Sequence, residues 1–122
     1  MASEEAARRP PERLRLLLTP DENAPAAARR ALRRMPLGER REDVLLLASE
    51  LVTSAVVGGA HDAGDPIALD AECDGVHSRV EVRNRMGRLA RPVGHSRRIL
   101  DAVTDDWGVA DGDEPGVWFE LS

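Results

Sequence analysis

Glu50 and Ser54 lie four residues apart in the segment SELVTSAVV (49–57), which is otherwise largely apolar. On an α-helix this spacing places both side chains on one face. A carboxylate can accept a proton, and a hydroxyl can donate or accept a hydrogen bond. The pair could therefore belong to a site for proton transfer or ligand binding. The alternative is that both side chains face solvent or bond to a neighbouring loop.

Other residue types with chemical potential form no recognisable pattern. His61, His77 and His95 lack the spacing of metal ligands, and Cys73 is far from them in sequence. We therefore predict no metal site and expect the histidines to be exposed. The chain has no G-x-S-x-G motif, so nothing indicates a serine hydrolase.

Length and composition favour one domain in a reducing compartment. The 122 residues are 42% hydrophobic, enough for one core. Residues 1–12 are rich in charge, alanine and proline and are expected to form a disordered tail, so the domain spans 13–122. No apolar run suits a membrane span or a signal peptide, and a single cysteine cannot form an internal disulfide. We expect a cytoplasmic protein whose one cysteine is a small buried hydrophobe.

Charge is distributed unevenly along the chain. All 17 basic residues are arginine, and the net charge of −5 argues against direct nucleic-acid binding. Residues 1–41 carry 10 arginines against 6 acidic residues, whereas 42–122 carry 7 against 16. This asymmetry suits docking to a charged protein, but it would also arise from solvated faces that happen to segregate.

Three helices are expected. The first runs from about Asn23 to Met35, and its apolar face leaves Arg29, Arg30, Arg33 and Arg34 outward as a basic stripe. This stripe is either a solvated face or a partner-binding surface. The second helix spans about 41–57 and closes at Gly58-Gly59, and the third spans about 96–106 and ends at Trp107-Gly108.

Alternating apolar residues predict the strands. We expect a strand at 13–18, a hairpin made of 67–73 and 76–83 with a two-residue turn at Asp74-Gly75, and a final strand at 117–121. The order of elements predicts an α+β, two-layer α/β sandwich. Its sheet is mostly antiparallel, with three helices on one face.

The strings LLLASELVTSAVVGG (45–59), ILDAVTDDWGV (99–109) and VWFEL (117–121) resemble one known family. They are similar to the RsbW-like anti-sigma factors, the serine-kinase branch of the GHKL ATPase/kinase superfamily, and especially to their Arg- and Ala-rich actinobacterial members. The resemblance runs from about Arg13 to the end of the chain. It implies the GHKL fold and a nucleotide pocket.

Three motifs of that pocket are altered here. In the family's E-L-x-x-N-A motif the Glu is the general base and the Asn holds Mg²⁺; here Glu50 is kept, but Ser54 replaces Asn, and a hydroxyl is a poorer ligand for a hard cation. Asn84 stands where the family has the adenine-binding Asp of D-x-G-x-G. Gly94 is kept from the G-x-G-L turn at the phosphates, but Ser96 replaces the second glycine.

The resemblance therefore implies an anti-sigma factor that sequesters an alternative RNA polymerase sigma factor without using ATP. Glu50, Ser54, Asn84, Gly94 and Ser96 would be vestiges of the ATP site, with no catalytic residue and no cofactor. The alternative is an active serine kinase that uses Mg-ATP to phosphorylate an anti-anti-sigma factor. Release by such an antagonist, a role in stress response and homodimerisation are also family properties.

Overall fold

The computed structural model describes residues 10–57, 66–84, 92, 94–110 and 114–122. These segments form three α-helices, one short 3₁₀ helix and five strands, so the predicted α+β class is confirmed. In chain order the elements are β1 (Glu12–Leu18), α1 (Ala24–Leu32), the 3₁₀ helix (Gly38–Arg40), α2 (Arg41–Ala55), β2 (Ile67–Cys73), β3 (Ser78–Asn84), α3 (Gly94–Val103), β4 (Asp106–Ala110) and β5 (Gly116–Leu121).

The strands form one sheet in the order β1-β2-β3-β5-β4, and every neighbouring pair is antiparallel. β1 and β4 are therefore its edges. The register aligns Leu14, Ala71, Val80 and Phe119 across four strands. Because side chains alternate along each strand, the register assigns every strand residue to one of two faces.

The inner face of the sheet is apolar and is covered by the helices. Its central residues are at most 4% exposed: Leu69, Ala71, Val80, Val82, Val117, Phe119 and Leu121. The helices add buried residues to the same core, among them Ala28, Leu32, Val44, Leu47, Leu51, Val52 and Leu100. Burial of this single apolar layer, at roughly 25 cal/mol per Å², is the main driving force for the two-layer arrangement.

The outer face of the sheet carries a lattice of cross-strand ion pairs. Arg15 Nε lies 2.8 Å from Asp70 Oδ1, and Arg83 Nη2 lies 2.9 Å from Asp70 Oδ2. Arg79 Nη1 lies 2.9 Å from Glu120 Oε1, and its guanidinium stacks 4.5 Å above the Trp118 ring. Opposite charges across neighbouring strands stabilise the register, and each exposed pair contributes well under about 1 kcal/mol.

The strand β4 was not predicted, because its residues were assigned to the end of the third helix. That helix ends at Val103, and Trp107-Gly108, expected to terminate it, lies within β4. The Asp105 N–H donates to the Glu120 carbonyl at 2.9 Å, and β4 then pairs with β5 over five residues. Antiparallel pairing with the next strand of the chain, across the short connection 111–115, outweighs the weak local pattern of DWGVA, which has only two strongly apolar β formers.

The β2–β3 hairpin exists, but its turn was misplaced. The prediction paired Cys73 with Val76, whereas Cys73 pairs with Ser78. Gly75 and Val76 form the centre of the turn, and the Asp74 carboxylate accepts hydrogen bonds from the N–H groups of Val76 and His77 at 2.9 and 2.7 Å. Such an Asx-type turn is locally stable. Since the error is two residues, every side chain still lies on its predicted face.

The turn at Gly75 packs against the connector between α1 and α2. The Gly75 N–H donates to the Pro36 carbonyl at 2.9 Å. Gly38 has a φ of 72°, and a Cβ atom there would lie 2.2 Å from the Gly75 carbonyl oxygen. A side chain at Gly38 would thus be both strained and in collision with backbone.

Other predicted boundaries differ slightly. α1 ends at Leu32, so Arg33 is its C-cap and Arg34 lies in the following turn. Glu12, assigned to the tail, belongs to β1; residues 1–9 and Gly58-Gly59 lie outside the described residues. Among the helices that the structure describes, none has both the length and the apolar character needed to cross a membrane.

Candidate functional site

Helix α2 carries the polar pair that the sequence singled out. Its buried residues, including Leu47, Leu51 and Ala55, recur at helical spacing toward the core. Glu50 and Ser54 lie beside this apolar row, and both are half-buried. Within the described part of the chain, no side chain forms a hydrogen bond or ion pair with Glu50. A carboxylate in this position is accessible to a ligand or to solvent.

Ser54 meets the first turn of α3. The Ser54 and Ser96 hydroxyl oxygens lie 3.5 Å apart, and both residues are half-buried. Gly94, the first residue of α3, has a φ of 57°, which is the left-handed conformation that glycine adopts readily. The structure therefore brings together two of the residues that the sequence predicts for a vestigial pocket. Two neutral hydroxyls can hydrogen-bond a polar ligand, but neither is an activated nucleophile.

Asn84 lies at the end of β3 and is completely buried. Its N–H donates to the Pro115 carbonyl at 3.0 Å, which joins the end of β3 to the segment before β5. Burying an ionised carboxylate costs far more than burying an amide. An Asn is therefore better suited than an Asp to a position as enclosed as this one.

Residues 85–88, which the resemblance aligns with the family's glycine-containing adenine motif, lie outside the described residues. His61, expected to be an exposed histidine, lies outside them as well. Within the described ranges, no group of three or more His, Cys, Asp or Glu side chains is placed to hold a metal ion. Among the predicted vestigial residues, only Ser54 and Ser96 are joined by a described contact.

A second region is a groove between the edge strand β1 and the flank of α1. It has a volume of about 450 Å³ and is lined mainly by apolar side chains. Leu16, Leu17 and Leu18 form one wall, and Ala24, Ala27 and Ala31 form the other. Asp21 lines one end, where its carboxylate accepts a hydrogen bond from the Asn23 N–H at 2.8 Å.

Two residues of the predicted basic stripe line this groove. Arg30 and Arg34 border it, whereas Arg29 and Arg33 do not. Across the part of the chain that the structure describes, none of the four arginines forms an ion pair. The outer sheet face differs, since Arg13, Arg15, Arg79 and Arg83 all lie within 4.0 Å of a carboxylate oxygen. Asp21 is the one acidic residue in the lining of the groove, so positive charge outweighs negative charge there.

Leu17 is the most exposed residue of the apolar wall. Its side chain is 70% exposed, although its neighbours Leu16 and Leu18 point toward the core. The run Leu16-Leu17-Leu18 departs from the alternation expected of a strand with one solvated face. This departure is the one sign of the groove in the sequence. A cavity between two elements cannot otherwise be predicted from the residue pattern.

Cys73 and Ser78 face each other at the closed end of the hairpin, and both are almost fully buried. Burial raises the pKa of the Cys73 thiol. A buried thiol that stays protonated is a poor nucleophile. The prediction that Cys73 serves as a small buried hydrophobe is confirmed.

Two regions therefore hold the residues of interest: the contact of α2 with α3, and the groove between β1 and α1. No protein-family model matches this chain, and no curated protein matches it either. The residues and their contacts therefore provide the structural support for a functional proposal.

Proposed function

We propose that this protein is an anti-sigma factor with a GHKL-type fold, which binds an alternative sigma factor by a surface that includes α1 and does so without ATP. The four arginines at α1, none of which forms an ion pair among the described residues, are the observation that carries the proposal. An excess of unpaired arginines favours an acidic partner surface and raises the rate of encounter with it. The resemblance in sequence supplies the type of partner.

The altered pocket supports the nucleotide-independent part of the proposal. Ser54 contacts Ser96 where the family would place a magnesium-binding amide and a phosphate-binding glycine. Asn84, which the resemblance aligns with an adenine-binding carboxylate, is buried. The three changes replace an amide ligand of the cation by a hydroxyl at Ser54, remove a charge at Asn84 and remove close backbone approach at Ser96.

The partner is tested by using the full chain as bait in a lysate of the cells that encode it. Mass spectrometry of the captured proteins is expected to identify an RNA polymerase sigma factor. The purified factor is then titrated with and without Mg-ATP, and the two affinities should agree. Capture of other proteins in the absence of any sigma factor would reject the proposal.

A kinase acting on an anti-anti-sigma factor is the second candidate, because Glu50 is retained and accessible. Calorimetric titration with Mg-ATP and Mg-ADP separates the two functions. We expect no binding heat at millimolar nucleotide. Micromolar Mg-ATP binding that is weakened by Glu50→Gln or Ser54→Ala would restore the kinase, whereas the exposed-site variant Glu42→Gln serves as the control.

A further inference from the structure

The free edge of β1 is a template for another strand. β1 has seven residues, all paired with β2 on one side, so every second N–H and C=O group points away from the sheet. The strand contains no proline and no glycine. Natural edge strands without such interruptions pair readily with an added strand.

The groove supplies pockets for the side chains of such a strand. Residues of an added strand that point toward the helices would pack against Ala27 and Ala31 and pass beside Arg30 and Arg34. Residues on the opposite face would lie beside Leu17 and the guanidinium groups of Arg13 and Arg15. The helix side therefore offers apolar surface next to arginines without ion pairs, whereas Arg13 and Arg15 on the opposite face are already paired with Glu72 and Asp70.

A second copy of this chain is a poor occupant. Pairing of β1 with a symmetry-related β1 would bring Arg13 and Arg15 of one copy toward those of the other. Each copy would also direct Arg30 and Arg34 toward a groove that is already basic. Like charges brought together in this way oppose association, whereas acidic side chains would be attracted.

We propose that β1 and α1 bind an extended, acidic segment of a protein partner, which adds to the sheet as a sixth strand. The groove receives its apolar side chains, and Arg30 and Arg34 pair with its carboxylates. This inference deepens the proposed function, because it describes how the sequestered factor is held.

The test uses a blocked octapeptide of alternating Glu and Val, labelled for fluorescence anisotropy. A Lys-Val octapeptide is the charge control. A Glu-Val octapeptide that is N-methylated at every residue keeps the charge but has no backbone N–H on either edge, so it cannot pair as a strand. Binding of the Glu-Val peptide is expected to exceed binding of both controls at least about tenfold. Hydrogen exchange should show newly protected amides in β1.

The charge requirement is tested with the double variant Arg30→Glu, Arg34→Glu. It should weaken peptide binding at least about tenfold. The matched double variant Arg97→Glu, Arg98→Glu reverses two exposed charges on α3 and should change the affinity less than about twofold. Circular dichroism checks that both variants are folded.

Three outcomes would overturn the inference: no binding of the Glu-Val peptide, equal binding of the N-methylated peptide, or β1 amides that are already protected from exchange by a dimer in the absence of peptide. The peptide assay needs no sigma factor. Capture of a sigma factor without peptide binding would leave the proposed function standing and remove strand addition. Peptide binding without capture of a sigma factor would leave strand addition standing and reject the proposed function.

Discussion

β1 and β4 are both edge strands of one sheet, but they differ in length, in flanking charge and in what covers them. β1 has seven residues and borders an apolar groove, with Leu17 70% exposed. β4 has five residues, begins at Asp106 directly after Asp105, and contains Gly108 directly opposite Trp118. Short length and inward or flanking charge are common protections of an edge.

The two edges of the sheet are protected against strand pairing to different degrees, so this protection depends on the residues at each edge. β4 is fixed by side chains that cross it or tie down its start: Trp107 Nε1 donates to Asp101 at 2.8 Å, and Ser122 Oγ donates to Asp105 Oδ2 at 2.7 Å. Among the described residues no comparable hydrogen bond ties down β1, whose charged residues Glu12, Arg13 and Arg15 all lie in its first four positions. Its apolar part, residues 16–18, is the less protected edge, which favours binding at β1 over binding at β4.

Within β4, the larger effect is expected where Trp118 covers Gly108. A Cβ atom at Gly108 would lie 2.7 Å from the indole Cζ2 atom. Gly108→Val must therefore displace the ring, at a cost of about 1–3 kcal/mol in the free energy of unfolding. Urea denaturation followed by circular dichroism measures this cost.

The same substitution in a Trp118→Ala background is the control, because the displaced ring is then absent. The cost should fall to a few tenths of a kcal/mol, which is ordinary for an exposed strand position. Equal costs in the two backgrounds would show that Trp118 does not protect the β4 edge.

A smaller effect is expected at the start of β4. The hydrogen bond from the Ser122 hydroxyl lowers the pKa of the Asp105 carboxyl below its usual value. A lowered pKa in the folded state stabilises the protein above the ordinary pKa, and this contribution is lost as pH falls through the lowered value. Ser122→Ala should raise the pKa of Asp105, and carbon-detected NMR titration measures it.

The free energies of unfolding of Ser122→Ala and of the natural chain give an independent check of this hydrogen bond. Ser122→Ala should be less stable than the natural chain at pH 7, and the difference should vanish once Asp105 is protonated in both proteins. A difference that persists unchanged at acidic pH would mean that Ser122 stabilises β4 in another way.

The smallest effect on stability is expected at the open edge. Leu17→Glu changes a side chain that is 70% exposed, so it should alter the free energy of unfolding by less than about 0.5 kcal/mol. Leu18→Glu, at a residue only 4% exposed, should cost about 3 kcal/mol or more. Comparable losses at the two positions would contradict the assignment of Leu17 to the solvent face.

The strands and helices with regular apolar patterns were predicted correctly from sequence. Alternation identified β1, β2, β3 and the last strand, and helical spacing identified α1 and α2 to within a few residues. β4 was missed because its own residues have a weak strand pattern and its pairing with β5 cannot be read from that pattern. The turn of the hairpin was centred one residue early, which shifts the register by two residues, because alternation fixes the faces of two strands but not their register.

The candidate sites were less predictable than the fold. The spacing of Glu50 and Ser54 placed both on one side of α2, but nothing in the sequence showed that Ser96 would contact Ser54. The basic stripe was predicted as one surface, whereas only Arg30 and Arg34 line the groove. Which of the four arginines line the groove depends on how β1 packs beside α1. The periodicity of a sequence describes only one element at a time.

The close approach of Gly38 to Gly75 limits the length of the two connecting segments in which these glycines lie. Surface turns usually accept inserted residues, so they are natural places for tags or fused domains. Here two turns 37 residues apart in sequence share a backbone hydrogen bond and leave no space for a methyl group between them. An insertion in either turn would separate the helical layer from the hairpin, so these two connections have a fixed length.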